Sequence, residues 1–163
     1  MEGGQVVADP SRDLLKLAVV ERHNATGKIG VGFVRGFGLK NGAIASTVAH
    51  DSHNVVVAGT NDADMLLAIR TLAELQGGQV VVSEGLVRAA LPLPIAGLMS
   101  DLEIDKVTEL NSQLIEATRV LGGTQQNPFM SLSFLALPVI PTLKLSDLGL
   151  IDVDLFERIP LFV

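Results

Sequence analysis

Gln79-Val-Val-Val-Ser83-Glu84-Gly85-Leu86-Val-Arg-Ala-Ala-Leu91 is the stretch that decides the fold of this chain. A β-branched run and an apolar run stand either side of the Glu84-Gly85 step, which is a hairpin signal. A hairpin pairs its strands antiparallel, so any sheet built on this one is at least partly antiparallel. Just upstream, Asn61-Asp62-Ala63-Asp64 opens a helix, with an N-cap residue followed by acids that complement the positive end of the helix dipole. Met65, Leu66, Ile69, Leu72 and Ala73 then recur at helical spacing, and Gly77-Gly78 stops the helix.

Working outward towards the N-terminus, Val55 to Ala58 and Ala43 to Ala49 read as buried strands, and Leu15 to His23 as another, with Asn24 to Gly27 as the turn after it. Between Ile29 and Gly42 stand Gly30, Gly32, Gly36, Gly38 and Gly42, which predict bends and close backbone approaches. Towards the C-terminus, Leu91 to Ser100 is apolar and broken by prolines. A helix fits 103–121, with Ile104, Val107, Leu110, Leu114, Ala117 and Leu121 inward and Gly122-Gly123 ending it. Asn127-Pro128 opens a segment read as helix through Leu137, with strand as the alternative. A turn at Asp147 to Gly149 and one last strand before Val163 complete the chain. The fold class expected is α/β of the α+β type: one domain with a mixed, largely antiparallel sheet flanked by two to three helices. Residues 1–12 read as a truncated linker or an added start, and 13–163 as the domain.

Composition narrows the function. Hydrophobic residues make up 48% of the 163 and only 18% are charged, against ~25% in an ordinary soluble domain. Mean hydropathy is +0.43. No apolar run reaches the roughly 18 residues of a membrane span, and no signal peptide is recognisable. The excess apolar surface is expected to meet a partner or another domain. Net charge is −6 without a basic cluster, which argues against nucleic acid. Cysteine is absent, which removes thiolate chemistry and fits a reducing cytoplasm.

Chemistry gathers at Ala49-His50-Asp51-Ser52-His53-Asn54, between two buried strands. A strand core has no need of two imidazoles, a carboxylate, a hydroxyl and an amide, each of which must be hydrogen-bonded or hydrated. Imidazole nitrogens and carboxylate oxygens suit Zn, Mn or Fe. The plainer alternative is a polar loop that caps its own backbone amides. Glu21 and His23 end another strand and Asp101 follows the proline-rich loop. Neighbouring strand ends would let His23, His50, His53, Glu21, Asp51 and Asp101 converge. Gly30-Val-Gly32-Phe-Val-Arg-Gly36 misses the dinucleotide-loop spacing by one residue. Ser46 and Ser52 lack the elbow or oxyanion donors of a nucleophile.

Five ordered segments, Leu17 to His23, Gly32 to Gly38, Gly42 to Asn54, Leu91 to Asp101 and Pro128 to Pro141, resemble the C-terminal domain of bacterial and archaeal adenine deaminases, within the amidohydrolase superfamily. The resemblance runs from about Asp13 to the last residue. It implies a hydrolase of purine salvage that converts adenine and water to hypoxanthine and ammonia with a Mn or Fe pair. That pair belongs to an upstream (β/α)-barrel with its own His-x-His motif, for which this chain has no counterpart. The chain therefore carries no catalytic residue of the family, and no cofactor is assigned to it alone. The resemblance further implies the barrel as partner, adenine as substrate of the whole, a homo-oligomer and a cytoplasmic location. Two roles follow for this domain. Its histidine loop faces the active-site mouth or holds an extra metal through His50, His53, Asp51, His23 and Glu21, with Asp101 near the substrate. Otherwise the domain is a structural cover or oligomerisation unit without a site of its own.

Overall fold

The computed structural model describes residues 6–162. Of the expected 1–12 linker, residues 1–5 lie outside the described part, as does Val163. Six strands, β1 (Leu15–Val20), β2 (Ile29–Val34), β3 (Ala43–Ser46), β4 (Val55–Gly59), β5 (Gly78–Ser83) and β6 (Leu86–Pro92), form one sheet in the order β2-β1-β4-β3-β5-β6. Every neighbouring pair in it is antiparallel. Glu84 and Gly85 have φ of 56° and 72°, the two positive values that a type I′ turn requires to match strand twist.

One face of the sheet carries helix α1 (Asp62–Glu74), whose Met65, Ala68 and Leu72 pack on Ala18, Ala45, Val57, Val80 and Val82. Asn61 caps it by accepting from the Asp64 amide at 2.8 Å. The Asp64 carboxylate in turn accepts from the Gly85 amide at 2.9 Å and the Glu84 amide at 3.2 Å, so the helix start holds the hairpin turn. The opposite face carries α2 (Ile104–Val120), α3 (Pro128–Phe134) and a small antiparallel sheet of β7 (Leu143–Ser146), β8 (Gly149–Asp152) and β9 (Glu157–Arg158). Leu15, Leu17, Val19, Ile44, Val56 and Val81 meet Leu114, Phe129, Leu132 and Leu145 there in the larger core. The result is three layers around a central antiparallel sheet.

Four expectations change. The strand expected over Leu15 to His23 ends at Val20, because the Glu21 carboxylate takes the amides of the following turn. The glycine-rich stretch opens as strand β2, in which Gly30 and Gly32 leave the room that β7 and β8 occupy. A Cβ at Gly30 would fall onto the Ser146 carbonyl oxygen, and one at Gly32 would touch Leu145. On α2, Ile104 is 73% exposed rather than inward, since the first turn extends past the sheet; only Leu114 and Thr118 are fully covered. The segment from Pro128 is helix, not strand, and closes at Phe134.

Candidate functional site

The antiparallel registers decide which turns meet. Val20 lies opposite both Val55 and Ile29, and Ser46 opposite Val56 and Gln79. The turns 21–28 and 47–54 therefore adjoin at one end of the sheet.

Glu21 organises the first turn. Its carboxylate accepts from the backbone amides of His23, Asn24 (2.7 Å) and Thr26 (3.0 Å) and from the Thr26 hydroxyl (3.0 Å). These donors, the Thr26 amide foremost, favour the ionised form against the desolvation that opposes them, and the pKa falls to about 2. Both of its oxygens are thus taken by donors of its own turn.

Arg22 and His23 tie this turn to the next. The Arg22 guanidinium donates to the His53 carbonyl and, at 2.6 Å, to the Ala96 carbonyl. The His23 Nε2 lies 2.7 Å from the Ser52 carbonyl oxygen, to which it donates as the Nε2–H tautomer. On the far side of the loop the Asn54 amide group reaches the Asp147 carboxylate at 3.3 Å. The 49–54 loop is thus held from two elements, its backbone by the 21–28 turn and its Asn54 side chain by Asp147, with His53 at a φ of 49°.

The two loop imidazoles meet edge to face with centroids 6.4 Å apart, and His50 also lies 5.2 Å from the Phe134 ring. His53 Nδ1 is sealed from solvent without a partner. Burial, then the neighbouring His50 and Arg22, hold this imidazole below the ordinary histidine range. Neutral His53 is the resident form near pH 7.

His50, His53 and His23 are therefore brought to one sheet end. Asp51 is exposed beside them. Asp101 is exposed on the 101–103 bend, and no hydrogen bond or ion pair among the described residues joins it to the histidines. Among the described residues no three His, Asp or Glu side chains are grouped to hold a metal ion. The expected donor set of His50, His53, Asp51, His23 and Glu21 is not assembled, because Glu21 and His23 are spent on backbone groups. Sequence reasoning missed Arg22, Asp147 and Phe134. Arg22 was legible as a lone cation at a strand end, whereas nothing local placed Phe134 or Asp147 against a loop some eighty residues away.

A family model described as the adenine deaminase C-terminal domain matches residues 1–157. The adenine deaminase of Desulfatibacillum aliphaticivorans is 52% identical over 99% of this chain and 28% of its own length. Adenine deaminase 2 of Carboxydothermus hydrogenoformans is 54% identical over 98% of this chain and 28% of its own. The adenine deaminase of Methanothrix thermoacetophila is 50% identical over all of it and 29% of its own. The chain thus spans less than a third of the length of these relatives.

Proposed function

The chain belongs to the adenine deaminase C-terminal domain family, and from that premise we propose that it serves an adenine aminohydrolase as its appended domain, the catalytic barrel lying upstream. The observation that carries this is the match over nearly the whole chain at about half identity to relatives several times longer. In the whole enzyme a Mn or Fe pair held by the barrel would activate water for attack on the amidine carbon of adenine. The residues present here do not fit such a centre, since only His50 and His53 stand free beside each other. No step is routed through them. A cytoplasmic place in purine salvage and a homo-oligomeric assembly belong to the same reading.

Within it, the 49–54 loop presents His50 and neutral His53 on a braced backbone towards the upstream domain. That preorganised geometry favours a site-facing role over a bare cover, which would not require the loop to be braced by both the 21–28 turn and Asp147. The test is adenine turnover in the whole enzyme. His50→Ala and His53→Ala should lower kcat by about tenfold or more while leaving Tm within a few degrees. Equal losses in turnover and Tm would assign the loop to the cover. The 163-residue chain alone, supplied with Mn, should form no hypoxanthine, and turnover by it would sink the assignment of catalysis to the barrel.

A further inference from the structure

We propose that the open face of the β1–β2 wing, beside α1, is the surface on which the upstream domain of the longer chain seats. The proposal rests on the reading of this chain as the last domain of a longer enzyme. Gly30 and Gly32 point towards β7 and β8, so Ile29, Val31 and Phe33 point to the other side, the side of α1. In the β1–β2 register Ile29 stands opposite Val20, Val31 opposite Ala18, and Phe33 opposite Lys16. These pairs make an apolar strip whose only charge is Lys16, at one end, bound to Asp62.

α1 covers β3, β4 and β5 and reaches Ala18 and Val20 of β1, but leaves the outer face of β2 bare. Ile29 is 55% exposed and Val31 44%. Antiparallel sheets usually turn polar side chains to water, so an apolar row on the open face marks a contact surface. At the turn end the strip leads into a 410 Å³ recess under α1, walled by Val20, Val55, Ile69 and Leu72. This recess and the exposed strip of β2 together make a furrow beside α1.

The occupant follows from where the chain enters. Val7 and Ala8 lie beside Lys16, Thr60 and Asp62, at the other end of this furrow and on the same face of the sheet. The family model is of a C-terminal domain, and the relatives carry more than two thirds of their length outside the matched region. That length joins through the N-terminal side, so it enters beside this furrow. A body seated along the furrow ends at Glu21, Arg22 and Ala25, the turn that Arg22 and His23 tie to the histidine loop.

The experiment uses the whole enzyme with its other cysteines replaced, which is simple in this part because the 163 residues contain none. Val31→Cys is compared with Val87→Cys, a site on the opposite edge of the sheet that is equally exposed, at 44%. A soluble maleimide should label position 31 about tenfold more slowly than position 87, as burial under a partner implies. A photoreactive maleimide on position 31 should crosslink to peptides of the upstream domain. Equal labelling rates overturn the proposal, and so does a crosslink to residues 6–162 of a second copy. Adenine turnover is measured separately. An inactive whole chain that still crosslinks upstream would sink the deaminase reading and keep the surface.

Discussion

Glu21 shows how one carboxylate can fix a turn. Its pKa of about 2 against the ordinary 4.5 means that the fold favours the ionised form. The stabilisation is complete above the ordinary value and is lost as pH falls through about 2. Wild type should therefore exceed Glu21→Gln in Tm by a constant margin at neutral pH, and the margin should shrink on acidification below pH ~4, as thermal melts across that range would record. His53 runs in the opposite chemical sense with the same pH sign. Its neutral form is favoured in the fold, so the unfolded chain takes up protons first as pH drops below 6.5 and stability declines. Ring NMR should place the His53 midpoint below 6.5, and His50→Ala should raise it by removing a neighbour that lowers it. An unchanged midpoint in His50→Ala would show that the pair is not electrostatically coupled.

Among the elements, β2 is held by the absence of side chains. Gly30→Ala drives a methyl group onto the Ser146 carbonyl and should cost about 3 kcal/mol or more in denaturant melts. Gly32→Ala meets only the flexible Leu145 tip at 3.4 Å and should cost far less. Asp64→Ala should unlatch both the α1 start and the hairpin turn, lowering stability by about 2 kcal/mol. The hairpin and α1 were legible because their signals are local: a Glu-Gly step needing two positive φ values, and an Asn cap followed by a 3.6-residue period. The strand over 29–34 was not, because its glycines read as breakers unless β7 and β8, more than a hundred residues on, are known to press against them. The site divided likewise. His50 and His53 are neighbours in sequence and could be singled out, while Glu21 was read as a ligand because its real partners are backbone amides, which no composition displays.

At the scale of the whole molecule, the 163-residue chain by itself should self-associate as concentration rises, because the outer face of β2 is bare, and Val31→Lys should raise the concentration at which light scattering departs from monomer. No change in Val31→Lys would place the sticky surface elsewhere. The sheet order also separates the chain in time. Residues 43–92 carry β3 to β6 and α1 and close most of their own ladders, whereas the wing joins them only through the β1–β4 ladder. Its glycine face stays bare until Leu145 and Leu150 arrive. On a ribosome that releases the N-terminal side first, β1 and β2 must wait for almost the last tenth of the chain before their second layer exists. If the upstream domain seats on the wing as proposed, it would be folded before that second layer exists, and docking would cover the unfinished wing during synthesis.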